Sequence, residues 1–556
     1  MKTISPGKGG RKKVKSGCRT CKTRKVKCDE RHPICSRCTS TGRVCDGYGI
    51  WGGGETFYSQ QQRLASERRN QLVSKAPVAV FLPESTAEEK DSFDWFRHRT
   101  ARKLPGSFVS DFWSVLLFQS SFGEPAVLHA VLALSTIHKE GHFNTDNHEE
   151  TTLRHYVRAI RDLQPHFACK SKTSSRIALI VCIIFINLEL LRGHFQTAQT
   201  HLGNGIRILQ DMQLISEGTD GVFCDTPSCE AVDRSIIEAF ARIQLQSTLS
   251  QFGYNHGYLL LELREWISLK GAALKFVSVK QAWGALTTLL NRILRLAHGG
   301  QQETNSGKDP WDDVQALQRQ QAIRKRLRWW IKTYEASNDI LQGLTNGDDQ
   351  KVGYLLTSYH SLACIMVDTA LQPNVESFYD SQTTKFGQLV KQLADLQTIS
   401  SSQPGLRRLP GHLMDMQSSI TDMGWLPVLF FIAIKCRKYE IRYQVVKLLE
   451  STSHREGLWD AKTMVCVVRK VIEIEEADFS NDFVETDDYS RYGFIKNVFS
   501  DFPCPSDSHR LRGVEVNLVG APMHTIKLFC RRFENGNWCR ILLSEYRIST
   551  QQWTDF

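Results

Sequence analysis

The stretch Cys18-Arg-Thr-Cys21-Lys-Thr-Arg-Lys-Val-Lys-Cys28-Asp-Glu-Arg-His-Pro-Ile-Cys35-Ser-Arg-Cys38-Thr-Ser-Thr-Gly-Arg-Val-Cys45 decides how this chain is read. Six of the sixteen cysteines fall in it, spaced C-x2-C-x6-C-x6-C-x2-C-x6-C. It is an internal repeat: Cys18, Cys21 and Cys28 recur as Cys35, Cys38 and Cys45, seventeen residues on. The basic N-terminus lacks the apolar segment of a secretory signal, so a reducing compartment is expected, where clustered thiols bind metal. Zinc takes four thiolates in a tetrahedron, yet each half supplies three. Two zincs with six ligands are both four-coordinate if two thiolates bridge. Six thiolates against two dications leave a charge of −2, which nearby Arg and Lys offset. So short a segment cannot build an apolar core, so the metal is expected to supply its folding energy.

Working outward, the first fifty residues hold fourteen Lys and Arg against three Asp and Glu. The rest of the chain carries 56 of each sign, so the whole net charge of +11 sits in that first tenth. A local basic block on a neutral body is the footprint of polyanion binding.

Cysteine spacing and charge together resemble the fungal zinc binuclear cluster (Zn2Cys6) DNA-binding domain, with all six ligands matched and Pro33 two residues before the fourth cysteine. The resemblance implies a small irregular module of two short helices around two zinc ions. One ion would take Cys18, Cys21, Cys28 and Cys35, and the other Cys35, Cys38, Cys45 and Cys18, bridged by Cys18 and Cys35. It also implies a helix placed in the major groove. The two halves differ: Lys22, Arg24, Lys25 and Lys27 lie between Cys21 and Cys28, against Arg43 alone between Cys38 and Cys45. The first half is therefore expected to face DNA, with Gly42 ending the second helix. Arg24 and Lys25 match the positions that read a CGG triplet, and Arg or Lys to guanine is the commonest specific contact. Lys22, Lys27 and the weaker candidate Arg19 are the phosphate contacts. Arg11, Lys12, Lys13 and Lys15 form a basic arm suited to nuclear import, phosphate binding or both.

One triplet is too little information against roughly 10⁶–10⁹ competing genomic sites. A dimer or a partner must add to it. The residues after the cluster carry no sustained coiled-coil seam: Phe57, Leu64 and Gln71 alternate with Gln60, Glu67 and Ser74. Monomeric binding, or a homodimer formed through the large domain, is expected instead.

The organisation expected is a basic flexible arm (1–17), the zinc module (18–46), a flexible linker (47–92), a mostly α-helical regulatory domain (93–480) and a C-terminal extension (481–556). Pro125 opens a helix at its first turn, with Val127, Leu128, Val131, Leu132 and Leu134 on its apolar face. Further helical stripes are Leu153, Tyr156, Ile160, Leu163; Ala198, Leu202, Ile206, Leu209; and Ile236, Phe240, Ile243, all read as core. The apolar runs 177–186 and 425–434 are shorter than the roughly 18 residues of a membrane span. They read as buried elements, and no membrane partner is expected. The region also resembles the fungal-specific regulatory domain of the second common type. That resemblance rests on Asp111-Phe-Trp113, the run Glu124–Leu134 with His138, Ala159-Ile160, His201-Leu202 with Gly205, and Arg455-Glu-Gly-Leu-Trp459. Such factors often control a biosynthetic gene cluster or a metabolic pathway.

His138, His142 and His148 surround Glu140, but they straddle Gly141 at a helix end, where cationic His is favourable without a metal. Residues 473–488 hold eight acids and no base, with Phe479, Phe483, Tyr489, Tyr492 and Phe494 interleaved or following. Such a segment either recruits the transcription machinery or is a structural loop. Glu534-Asn-Gly-Asn537 between 526–532 and 538–543 signals a short β-hairpin. The string Gly47-x-Gly49-x-x-Gly52 follows a zinc ligand rather than a strand, so it reads as linker.

The expectation is a nuclear, zinc-dependent, double-stranded DNA-binding transcription regulator without enzymatic activity. A metabolite-sensing or enzymatic helical domain with a zinc appendage is the alternative; a small-molecule effector stays compatible with either. An RNA-binding or scaffold protein is a third reading, but residues 18–45 contain no Phe, Tyr or Trp to stack a base.

Overall fold

In the computed structural model the described residues are 18, 20–21, 24–29, 31, 35–41, 43 and 45 of the N-terminal module. From 85 to 556 they exclude 109, 141–147, 170, 218–221, 250–259, 264–274, 306–311, 343–348, 373–374, 402–418, 453–454 and 478–503. The basic arm 1–17, Arg19, Lys22, Pro33, Gly42 and most of the linker lie outside them.

The module contains helix α1, Ser36–Thr39. The large domain is built from helices α2 (Ala87–Trp95), α3 (Pro125–Glu140), α4 (His148–Ala168), α5 (Lys172–Arg192), α6 (Phe195–Asp211), α7 (Ala231–Leu249), α8 (Val279–Asn305), α9 (Val314–Ala336), α10 (Asp349–Thr369), α11 (Thr383–Ser401), α12 (Leu426–Lys435), α13 (Tyr439–Glu450) and α14 (Ala461–Glu476), with shorter turns between them. The linker expected to run to 92 ends earlier. Thr86 caps α2 through a reciprocal pair: its hydroxyl accepts from Glu89 N, and Glu89 accepts from Thr86 N. That box starts a helix without an apolar face to announce it.

Helix α5 is apolar on all sides, and sixteen of its residues are buried. It is long and apolar enough to cross a membrane by length and composition, but it lies almost wholly inside the domain. A helix without a polar face is the central rod of a core. α3, α4 and α6 pack against it. Gly193 at φ +76 stops it, in the left-handed conformation that Gly adopts without steric cost. On α6 the expected stripe Ala198, Leu202, Ile206 and Leu209 is buried, as is Ile236, Phe240 and Ile243 on α7. The two helices meet where Gly205 lies under Phe240; a Cβ there would stand 2.4 Å from the ring.

The α4 stripe is a correction. Leu163 is buried, but Leu153 and Ile160 are 41% and 38% exposed, and the inward face is Thr152, His155, Ala159 and Leu163. Apolar periodicity cannot tell which of two neighbouring stripes packs when polar residues find partners inside.

Residues 504–556 are also more than the expected extension. The hairpin is present, with Asn535 (φ +51) and Gly536 (φ +79) as its two-residue turn, the combination such turns require. It is the centre of a four-stranded antiparallel sheet: β1 (Arg512–Gly520), β2 (Met523–Glu534), β3 (Asn537–Arg547) and β4 (Gln552–Asp555), in that spatial order. Its Val514, Val516, Leu518, Ile526 and Leu528 join the same apolar core as the helices. β1 packs on α6.

Charge is used inside this core as well. Glu475 on α14 is buried and accepts from Arg437 (2.8 Å), Leu511 N (2.8 Å) and Arg442. Arg437 also reaches Glu376 at 2.7 Å, and Lys435 reaches it at 2.6 Å. Burial alone would raise Glu475, but Arg442 and Arg437 outweigh it and hold the carboxyl below its usual range. Three of the eight acids read as a candidate recruiting segment (Glu473, Glu475, Glu476) are thus on a structural helix. The rest lie outside the described residues.

Candidate metal centre and nucleic-acid interface

The repeat seen in the sequence is a repeat in geometry. Cys18 Sγ accepts from Cys21 N at 3.4 Å, and Cys35 Sγ accepts from Cys38 N at 3.3 Å. Each C-x2-C pair wraps a helical turn around its first sulfur. Asp29 then caps α1, accepting from Ser36 N (3.0 Å) and Arg37 N (3.2 Å). Asp29 lies seven positions before Ser36, so no local capping pattern marks it in the sequence.

The sulfurs converge. Cys18 Sγ lies 3.6 Å from Cys35 Sγ and 3.8 Å from Cys38 Sγ; Cys21 Sγ lies 3.7 and 3.8 Å from the same two atoms. Two thiolates on one tetrahedral zinc, each at about 2.3 Å, stand about 3.8 Å apart. The cage is therefore at ligand spacing. The sulfurs of Cys18, Cys21, Cys28 and Cys35 lie within 4.8 Å of one another, and so do those of Cys18, Cys35, Cys38 and Cys45. Cys18 and Cys35 belong to both quartets. Burial pushes the Cys18, Cys21 and Cys38 thiols up, Cys21 to about 12. Dications at the centre reverse that preference, because a coordinating thiol is deprotonated. The donor set fits two zinc ions.

The basic residues are set just outside the cage. Arg24 N bonds to Thr20 O at 3.1 Å and Val26 N to Cys21 O at 3.0 Å, with Lys25 at φ +53. This six-to-one bond around a left-handed residue closes the first helical turn. Lys25 and Lys27 are exposed. Arg24 is half-buried and donates to Thr41 Oγ1 at 3.3 Å. Of the DNA contacts expected from the sequence, Arg24, Lys25 and Lys27 are thus described beside the cage; Arg19, Lys22 and the arm residues Arg11, Lys12, Lys13 and Lys15 are not among the described residues.

In the large domain several of the residues that carried the second resemblance serve packing. Glu456 is fully buried and accepts from the N–H groups of Gly424, Trp425 and Leu426 at 2.7, 2.8 and 3.2 Å, capping α12. Gly457 (φ +55) leaves room for Gln246, which donates to Glu456 O at 3.1 Å. His138 is buried against Thr100 Oγ1 at 3.0 Å. The side chains of Glu140, His142 and His148 lie outside the described residues, so that grouping is not assembled among them. A cavity of about 10 Å³ lies among Arg242, Trp283, Thr287, Thr288 and Asn291. That is room for about one water, far below the roughly 300–1,000 Å³ of a small-molecule pocket.

Comparison with known proteins agrees with this geometry. The fungal Zn(2)-Cys(6) binuclear cluster domain matches residues 16–50, and the fungal specific transcription factor domain matches residues 93–472. An aspercryptin biosynthesis cluster-specific transcription regulator of Emericella nidulans is 22% identical, the match covering 83% of this chain and 87% of that one. A Zn(2)-C6 fungal-type transcription factor of Aspergillus fumigatus is 24% identical over 38% of this chain and 54% of its own. Arginine metabolism regulation protein II of Saccharomyces cerevisiae is 56% identical over 45 residues, 8% of this chain and 5% of that one. No solved structure matches the chain. With a six-cysteine cage built for two zincs and a helical domain matched over most of its length, the chain belongs to the fungal transcription regulators that bind DNA through a Zn(2)-Cys(6) binuclear cluster.

Proposed function

We propose that this regulator reads a CGG-type triplet in the major groove through the end of its first short helix, in the nucleus, at genes transcribed by RNA polymerase II. The observation that carries the reading is the placement of Lys25 and Lys27 on the solvent side of a closed cysteine cage, where the left-handed turn at Lys25 ends the helix. Lys25, with Arg24, is assigned to guanine O6 and N7, a contact worth about 1–3 kcal/mol of discrimination. Lys27, with Lys22 and Arg19, is assigned to phosphate. Cys18 and Cys35 are assigned as the bridging ligands, because both quartets need them. Zinc supplies charge and rigidity there; the chain supplies the reading surface. The basic arm (Arg11, Lys12, Lys13, Lys15) serves import and adds phosphate contacts. The long relative named for a biosynthesis cluster supports a biosynthetic gene cluster as the target class.

The test is selection from random duplex DNA with zinc-loaded full-length protein and a chelated control. Paired CGG triplets at one spacing would mean a homodimer, and one extended CGG half-site a monomer. Absence of any zinc-dependent enrichment would overturn sequence reading by this chain alone. Repeating the selection with Lys25→Ala is expected to relax the triplet. An unchanged preference would remove Lys25 from base reading.

A further inference from the structure

Three helices at the start of the large domain bring together a second set of metal-ligating side chains. Glu89 comes from α2, His129 from α3 and His155 from α4. His129 Nδ1 and His155 Nδ1 stand 3.2 Å apart, and a Glu89 carboxylate oxygen completes a group whose ligand atoms lie within 4.8 Å of one another. We infer that Glu89, His129 and His155 form a mononuclear site for a divalent transition ion of the zinc class, separate from the cysteine cage.

The geometry carries it. Two imidazole nitrogens on one tetrahedral zinc, each at about 2.05 Å, stand about 3.3 Å apart, and here the separation is 3.2 Å. Two helical histidines and a carboxylate are a ligand set seen in catalytic zinc sites, with a fourth position left for water. His155 is 4% exposed and Glu89 9%, whereas the His129 side chain is 15% exposed and opens the group to solvent. Asp162 Oδ2 lies 3.8 Å from His129 Nε2. A carboxylate on that side favours the proton on Nε2 and leaves the Nδ1 lone pair free. Burial lowers His129 from its usual range and, with His129 beside it, pushes His155 down to about 4.

Two neighbours oppose the ion and set its affinity. Arg158 Nη1 donates to Glu89 Oε1 at 3.2 Å, and Thr86 N donates to Oε2 at 2.9 Å. Each carboxylate oxygen has two lone pairs, so Glu89 can keep the helix cap and still ligate. The Arg158 side chain is 43% exposed and free to turn outward. The competing arrangement is a hydrogen bond in which one Nδ1–H donates to the other Nδ1. It satisfies two rings but gives Glu89 no part.

The test titrates zinc-loaded full-length protein with zinc chloride under chelator buffering, counting zinc per chain and following the melting of the helical domain. A third equivalent that raises the melting temperature is expected. His129→Gln is expected to weaken that equivalent at least about tenfold, and Glu89→Gln, whose amide oxygen keeps the helix cap, is expected to do the same. In both variants the first two equivalents and DNA binding should persist, which shows that the chain is folded and separates this site from the cysteine cage. Saturation of the wild-type protein at two equivalents would overturn the inference. So would a third equivalent of unchanged affinity in both variants, because the ion would then sit elsewhere.

Discussion

The two halves of this protein are folded by different forces. In the zinc module the buried apolar cluster is made of Cys18, Cys21, Cys28, Cys35 and Cys38, with Val26 and Cys45 packed against it. The ligands are the core. In the helical domain one continuous cluster runs from Phe93 through α5 to the C-terminal sheet, held by ordinary apolar burial and a few buried ion pairs. The module depends on an ion it must capture, whereas the domain's core needs only its own side chains. The two should therefore respond oppositely to most perturbations.

The largest expected effect is chelation. Metal binding to a structural zinc module supplies about 10–16 kcal/mol per ion. Removing zinc should abolish DNA binding and unfold residues 18–45, while the domain's cooperative melting survives. Loss of both in one transition, followed by circular dichroism during chelator titration, would mean that the two regions fold as one.

The reverse perturbation is mutation at Glu475. Its pKa is depressed in the folded state, so the stability it contributes is present above the unfolded value near 4.3 and is lost as pH falls through the lower folded value. Glu475→Ala removes the carboxylate that Arg437 and Arg442 share, leaving Arg437 with Glu376 alone and Arg442 with Glu476 at 3.6 Å, and should cost about 3–5 kcal/mol. The melting temperature of the domain should drop while zinc content stays at the wild-type value. A cost within the scatter of surface substitutions would show that the network is relaxed by solvent.

Next comes Gly205→Ala, which places a methyl against Phe240. Overpacking of this kind costs about 1–3 kcal/mol, read as a lower urea midpoint of the domain with unchanged DNA affinity. The smallest effect belongs to the module's exposed face. Lys27→Ala should weaken binding to all sequences alike and reduce the salt slope by about one. A change confined to particular sequences would move Lys27 from phosphate to base.

The same contrast explains what could be read from the sequence. Ligand spacing is a short-range code: six cysteines in two identical steps pointed to a cage and its metal, the resemblance named Cys18 and Cys35 as the shared sulfurs, and the structure gathers the same quartets. Helices with an apolar stripe were legible too, as with Ala198 to Leu209. What failed was whatever depends on a partner far away in the chain. The α4 stripe was misplaced because the inward face carries the polar Thr152 and His155, the latter met by His129, twenty-six positions away in the chain. Glu475 looked like part of an acidic tract because Arg437, Arg442 and Leu511 are not its neighbours in sequence. The hairpin was found from Asn535-Gly536; Gly520-Ala-Pro522 is a turn signal that brings in β1 as well, whereas the link to β4 over 548–551 has no Gly, Pro, Asn or Asp to mark it.

Lys25 adds a consequence of its own. A lysine occupies the left-handed position that glycine fills at lower strain; for an L-residue that conformation costs about 1–2 kcal/mol. Lys25→Gly should relax the turn, and the module should then hold zinc longer against a chelator, while its grip on DNA weakens. On the base-reading role proposed for Lys25, the residue that suits the fold best at this position is the one that serves recognition worst. Selection for slower zinc loss and selection for promoter occupancy would pull this single codon in opposite directions.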